Sequence, residues 1–563
     1  MALLPMTKPR LLILLLAIVC LGALTQSVAL YGPQVIDGPD IKIHYRWALQ
    51  FASALSEGVW YPRWASYSYF GLGDPTFLYI HPLFYYAVAA VNIVINDVWL
   101  AILTIGAMSS AVAAAATYWI AQRNTSKGMA LVAACAMALS PYAFHLAHYQ
   151  QFLPMHFAMP ALVLFLGVIS SNRMRYRVPL IAVSLALLVM SHVLVAFMAL
   201  VCTAAVILWR ALRERNLAIN QFLQHATGVL LGLALSAMYL FPALTTQHLV
   251  SPAGWYVPIH LDWHNAFLLQ YFTLPDFGFR WFHLQWSIPL LTVFVCGLSG
   301  IFLWVGRSNI TDSWHKAAEM LVVAIFALLL GSEFSYSVWD HVETLRRLQF
   351  PLRFLQVACV ASIFALVWSA AGIEKARAKM VSVSITLFLV GSLAMLFALE
   401  RQFSIEAKPA LTVAAPGNAQ RGQPEMKPAS AGGAWRAYLD QGGWETECIT
   451  KSVICSRTVE RTHHKIWTVE AQENVHDIHL PIFWFPGWAF LVNDRLVTPV
   501  VDSANGLPLL KIAPGRTTIE ARWTGIPQER VGEAVSLAAV LALAGLLFTI
   551  RCRAKNDGDR NVA

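Results

Sequence analysis

The chain has 563 residues, 58% hydrophobic and 13% charged, with a formal net charge of +9. A soluble protein carries about a quarter charged residues, so this composition excludes an ordinary soluble enzyme and indicates a polytopic α-helical membrane protein. The positive balance does not indicate nucleic acid, because the lysines and arginines sit in short groups between apolar runs, as in cytoplasmic loops, and form no stripe.

Lys8 and Arg10 precede "LLILLLAIVCLGALTQSVAL", read as a retained first span, although "SVA" also resembles a cleavage site. Further apolar runs lie at approximately 77–95, 98–120, 128–144, 152–170, 178–209, 222–243, 286–306, 316–332, 352–372, 380–400 and 532–551. Many approach the ~20 residues needed to cross a bilayer. The basic loops "QRNTSK", "SNRMRYR", "RALRER", "GRSN…HK" and "EKARAK" and the tail "RCRAK" share one side under one counting. In it, 178–209 breaks at Ser191-His192 into two crossings, and 77–95 does not cross. The opposite choice puts Arg123, Lys127, Arg173, Arg175 and Arg177 outside, against the positive-inside rule. The favoured counting gives about twelve spans with both ends cytoplasmic, and its 13-residue piece 178–190 must tilt or be shielded by other helices.

Residues 401–530 differ in kind. The stretch 401–434 is Pro/Gly/Ala-rich and reads as a linker. Beyond it, "KIWTVEAQ", "AFLVND", "LPLLKIA" and "TTIEARW" alternate like strands, with turn signals at Asn493-Asp494, Asn505-Gly506 and Pro514-Gly515. The expected fold is an all-α membrane bundle over 1–400 with a large first extracytoplasmic loop (31–97). A small extracytoplasmic β-sandwich (435–530) and a last span with a tail (531–563) follow. Of eight cysteines, only Cys448 and Cys455 sit close together in a polar region. An extracytoplasmic location favours a disulfide between them.

The polar chemistry concentrates in "DGPDIKIHYRWALQFASALSEGVWYPRW", 37–64. Ile41, Tyr45, Ala48, Leu49, Ala52 and Leu55 recur at helical spacing, with Asp40 at the N-cap position and Gly58 at the end. Trp47, Trp60, Tyr61 and Trp64 suit an interfacial aromatic belt. Asp40 and His44, four apart, share a face. One reading makes Asp40 a cap and Asp37 a turn former. The other turns one carboxylate towards a cavity, kept ionised by the helix N-terminus as a general base must be. His148 in "HLAHYQQ" and His192 face the same side, where polar residues at span ends are functional candidates. There is no Walker A sequence, no G-x-G-x-x-G after a strand and no H-E-x-x-H.

The order of these features, with "GVWYPRW…GLGDP…LYIHPLFYY", "RRLQFPLRFLQ" and "FPGWAFLVNDRLV…SANGLPLLKIAPGRTTIEARW", resembles the GT-C superfamily of integral-membrane glycosyltransferases. The likeness is nearest to bacterial YfhO-type proteins and the membrane family labelled "6-pyruvoyl-tetrahydropterin synthase-related"; no soluble pterin-binding domain is visible. The resemblance implies transfer of a sugar from a polyprenyl-phosphate donor to a cell-envelope glycan, lipid or protein on the extracytoplasmic side of the bacterial inner membrane. It places Asp40, with Asp37 as runner-up, at the catalytic centre. Arg353, then Arg346 and Arg347, would meet the lipid phosphate, since forked guanidiniums suit its oxygens. His44, Arg63, His148 and His192 complete the expected substrate contacts. Some GT-C relatives require a divalent metal ion, a point the sequence leaves open. Two other functions fit the composition: a transporter or flippase for a lipid-linked saccharide, and a non-catalytic envelope assembly factor. Few charges lie inside spans and no internal repeat is visible, which disfavours transport.

Overall fold

The computed structural model describes residues 40–149, 151–171, 174–213, 215–251, 263–271, 287–308, 310–371, 422–433, 453–471 and 476–560, with short pieces at 16–18, 20, 373, 384–386 and 388–397. Asp37, Cys448 and most of the first apolar run lie outside the described residues.

Helix α1 (Ile41–Ser56) is followed by α2 (Leu83–Ile95) and α3 (Val98–Ala121). The bundle continues with α4 (Lys127–Ala138), α5 (Met159–Ile169), α6 (Arg177–Ser191), α7 (Val193–Arg213), α8 (Arg215–Leu235) and α9 (Ala237–Thr245). It closes with α10 (Ser287–Val305), α11 (Asp312–Gly331), α12 (Leu355–Ala371) and, after the β-region, α13 (Pro527–Arg560).

Seven described helices are long and apolar enough to cross a membrane, or eight if α8 and α9, bent by 79°, form one span. The other expected crossings fall on the short apolar helices α5, α6 and 384–397 and on the first run. The chain does break at Ser191-His192: His192 is extended (φ −165°, ψ 101°) between α6 and α7. Gly228 and Gly232, four apart on α8, let it approach α6 closely. A Cβ on either would sit 2.8 Å from Ile181 Cβ or from the Ala182 carbonyl oxygen.

A buried ionic network ties the far ends of these helices together. Arg210 on α7 grips Glu319 on α11 with two hydrogen bonds of 2.7 and 2.6 Å. Arg210 and Arg177 on α6 both donate to the Ile169 carbonyl ending α5, each at 3.1 Å. Arg177 also meets His225 on α8 at 2.9 Å. Two buried guanidiniums thus lie in the field of one carboxylate, and the Ile169 carbonyl takes a hydrogen bond from each, which together offset part of their desolvation.

The β-region has a five-stranded antiparallel sheet, β1 (Val453–Glu460), β2 (His464–Ala471), β8 (Gly515–Trp523), β4 (Trp488–Val492), β5 (Arg495–Val497), in that spatial order. A three-stranded sheet, β3 (His476–His479), β7 (Pro508–Ile512), β6 (Val500–Val501), faces the same hydrophobic cluster. Burial alternates along β2, as period-two side chains require. Asn493 and Asp494 turn β4 into β5 with φ of 48° and 63°, the left-handed pair a tight hairpin favours. Cys455 is disulfide-bonded.

The first loop packs into this β-region. Trp64, Tyr69, Leu72 and Leu78 belong to the same buried cluster as Trp467, Phe490 and Ile519. Trp64 is 1% exposed, its ring 5.5 Å from Trp488 and 5.7 Å from Trp523. Gly73 (φ +76°) passes so close that a Cβ there would lie 2.1 Å from Trp64 Nε1. Trp64 and Trp47 are therefore core residues and not the interfacial belt expected of them; aromatic burial outweighs headgroup anchoring, and only Trp60 stays exposed. The hairpin between β1 and β2 clamps the same loop: Thr462 donates from N (2.7 Å) and Oγ1 (2.6 Å) to Glu57, and Arg63 N donates to His463 Nε2 at 3.1 Å.

Two outcomes test this architecture. Glu319→Gln strands two buried cations, and should lower stability by about 3–5 kcal/mol, read as a fall in the thermal midpoint of the detergent-purified protein. Trp64→Ala opens a large cavity in the β-region core at a cost of about 3–5 kcal/mol. It should expose the β-region to limited proteolysis while the bundle remains resistant.

Candidate functional site

Asp40 stands at the N-cap of α1, but its backbone is helical (φ −106°, ψ −15°) and its side chain makes no capping hydrogen bond. The carboxylate is not used to close the helix. Burial raises its pKa to about 6; Arg353 pulls it down and Glu425 pushes it up. The structure thus brings Asp40 and Arg353 within electrostatic reach of each other.

Arg353 sits on the turn Pro351–Phe354 that leads into α12. The preceding chain doubles back through Gln349, whose φ is 62°. Arg353 is buried, donates from Nη1 to the Leu348 carbonyl at 2.6 Å, and lies 4.6 Å from the Phe350 ring and 5.4 Å from the Phe152 ring. An arginine held between aromatic faces is both desolvated and fixed in orientation.

Three histidines complete the cluster. His44 Nδ1 is 2.8 Å from the Tyr85 hydroxyl, with Trp47 and Phe84 edge-on to its ring. His81, just before α2, lies 4.6 Å from His192, ring centre to ring centre. Electrostatically, His192 senses Arg353, His81 and His44. Burial pushes the pKa of His44 and of His81 down to about 3, so both are neutral.

Helix α1 buries a different stripe from the one its aliphatic spacing suggested. Ile41, His44, Trp47, Ala48, Gln50, Phe51 and Ala54 face inward, whereas Tyr45, Leu49, Ala52 and Leu55 are only half-buried. The large rings of Trp47 and Phe51, packed on Tyr85 and Phe77, win over the smaller side chains. That rotation carries His44 inward.

Other expected site residues are held elsewhere. Arg63 is 2% exposed, bridges to Glu529 of α13 at 3.4 Å and donates to the Met238 carbonyl at 3.0 Å, so it ties the loop to α9 and α13. Arg346 donates to the Trp339 carbonyl at 3.0 Å, and Arg347 pairs with Glu343 at 3.1 Å on an exposed surface. His148 is buried in a π-helical turn, 4.3 Å from the Phe144 ring.

Two carboxylates escaped the sequence reading. Asp74, fully buried in the "GLGDP" turn, accepts from Thr76 N at 3.0 Å, and burial lifts its pKa to about 7. Glu425 bears on both Asp40 and Asp74. It lies in the stretch expected to be linker, yet residues 422–433 are strapped down. Tyr69 Oη donates to the Gln423 carbonyl at 2.7 Å, and Ser251 N donates to the Lys427 carbonyl at 3.0 Å. Met426 and Ala431 of that stretch are buried, a placement that its Pro/Gly/Ala-rich composition does not signal. Among the described residues, no group of three or more His, Cys, Asp or Glu is arranged to hold a metal ion.

Residues 77–399, more than half of the chain, match the model of the 6-pyruvoyl-tetrahydropterin synthase related domain, a membrane protein family. The chain belongs to this family. The matched segment carries His81, His192 and Arg353, while Asp40, His44 and Glu425 flank it on either side. No curated protein matches. Among solved structures, the mycobacterial arabinofuranosyltransferase AftD is similar at 16% identity, over 81% of this chain and 30% of its own, with a TM-score of 0.44. The Archaeoglobus fulgidus oligosaccharyltransferase AglB, in complex with an inhibitory peptide and a dolichol-phosphate, is similar at 14% identity over 71% and 56%, TM-score 0.42. ArnT from Cupriavidus metallidurans, bound to undecaprenyl phosphate, is similar at 13% identity over 72% and 82%, TM-score 0.29. The chain thus spans less than a third of AftD and little more than half of AglB.

Removing the guanidinium takes away the charge that favours ionised Asp40. Arg353→Gln should therefore raise the Asp40 pKa above 6, seen as an upward shift in the carboxyl-stretch titration that Asp40→Asn abolishes.

Proposed function

We propose that this family member is a membrane glycosyltransferase that moves a sugar from a polyprenyl-phosphate donor to a cell-envelope acceptor on the β-region side, which we take to be extracytoplasmic. The observation that carries this reading is a carboxylate not used in capping, Asp40, lying within the field of the buried, aromatically clamped Arg353. These are the two charges such a transfer needs: a base for the acceptor and a cation for the leaving phosphate. The expected domain division, bundle, linker and β-domain, belongs to the same proposal, with the β-region as a scaffold for the first loop.

In the proposed reaction, Asp40 accepts the proton of the acceptor hydroxyl as its oxygen attacks the anomeric carbon. The bond from that carbon to the phosphate oxygen breaks, with inversion, and the electron pair leaves on the polyprenyl phosphate. Arg353 meets the negative charge that develops there. A carboxylate with a pKa of about 6 is mostly ionised at pH 7, yet basic enough to take up a proton well. Burial strengthens both interactions, because charges act further in a medium that excludes water.

The test uses Asp40→Asn, which keeps shape and removes the base. Sugar transfer measured with lipid-linked donors should fall by about 10²–10⁴-fold, with expression and thermal midpoint unchanged; full activity would remove Asp40 from the role. The wild-type kcat/KM should decline tenfold per pH unit below about 6, as Asp40 protonates, and be level above it.

A further inference from the structure

The proposed transfer accounts for Asp40 and Arg353 but leaves His81 and His192 without a task. Their rings lie 4.6 Å apart, tilted by 39°. Both residues are nine-tenths or more buried. His81 Nε2 is buried and has no hydrogen-bond partner among the described residues. An imidazole nitrogen in that condition costs free energy unless something bonds to it. His192 Nδ1 accepts from Val195 N at 3.3 Å. In a neutral ring this acceptor role places the proton on Nε2, so that nitrogen is a donor.

The pair therefore offers a fixed N–H donor beside a nitrogen able to accept. A phosphate has only acceptor oxygens and needs donors or cations. A hydroxyl gives one proton and takes another, and matches a donor–acceptor pair. The neutrality of His81 and His44 supports that distinction, since neither adds charge for a phosphate. Arg353, whose field reaches His192, already supplies the cation alongside.

We propose that His81 and His192 form a hydroxyl-binding subsite that reads the sugar of the lipid-linked donor, next to the position where Arg353 holds its phosphate. This rests on the glycosyltransferase reading and deepens it: the histidines distinguish a loaded carrier from an empty one. His44, held by the Tyr85 hydroxyl, backs the pair and does not itself bind.

The experiment offers the full chain, in lipid nanodiscs, an equimolar mixture of bare undecaprenyl phosphate and undecaprenyl-phosphate-linked glucose, galactose, mannose and arabinose. Native mass spectrometry reads which carriers are retained. Wild type should retain at least one loaded carrier about tenfold over the bare one, the worth of one or two hydrogen bonds. His81→Phe and His192→Phe should each bring that ratio near one while retention of bare carrier is unchanged. His81→Gln, which restores a donor and an acceptor, should keep most of it. If His81→Phe does not fold, His81→Asn, whose shorter side chain withdraws the polar tip, should show the same loss. A wild type indifferent to the sugar, or a His81→Phe or His81→Asn variant with the wild-type ratio, would overturn the subsite. A folded wild type that retains no carrier, bare or loaded, would instead overturn the glycosyltransferase reading beneath it.

Discussion

The burial of Trp64 in the β-region is the constraint on which the rest depends. It fixes the middle of the first loop against Phe485, Trp488 and Trp523. Tyr69, Leu72 and Leu78 extend the anchor in the same cluster. With its middle immobilised, the loop delivers its two ends: α1, bearing Asp40 and His44, on one side, and His81 with α2 on the other. The helices supply His192 from the break between α6 and α7 and Arg353 from the turn that leads into α12, where backbone irregularity lets a polar side chain turn inward. A site built on three separately anchored pieces keeps its geometry only while all three are held.

The electrostatics follow from that enclosure. Burial penalises every charge, so a group stays ionised there only if a partner favours it. Arg353 does so for Asp40, against both desolvation and Glu425. Asp74 is pushed further by burial, to about 7. His44 and His81 give up their protons instead. One enclosed region thus holds a carboxylate poised near neutrality, a fixed cation and neutral imidazoles, distinguished by their neighbours more than by their chemistry.

The second anchor lies at the opposite ends of the helices. The Arg210–Glu319 pair and Arg177 draw the ends of α5, α6, α7, α8 and α11 onto one carbonyl and one carboxylate. Such a network adds little net stability over an apolar equivalent. It does specify which helix ends must meet, a demand that packing among similar aliphatic faces does not make by itself.

The membrane character, the break at Ser191-His192, the strand-and-turn succession from 464 to 523 and the acidic residue opening α1 were all legible in the sequence, because each rests on local pattern. Apolar length, alternation and left-handed turn residues act within a few positions of themselves. The inward stripe of α1, the core placement of Trp64 and Trp47, the structural engagement of Arg63 by Glu529 and the strapping of Glu425 were not. Each is settled by a partner outside its own segment, Tyr85 for Trp47, Phe77 for Phe51, Glu529 for Arg63 and Trp488 for Trp64. What the sequence determined alone is that the chain spans a membrane, carries a C-terminal β-region and concentrates acidic and basic chemistry near α1 and α12. Which of those charges face one another was decided only in the assembled fold, since burial and pairing are properties of the assembled volume and not of any one segment.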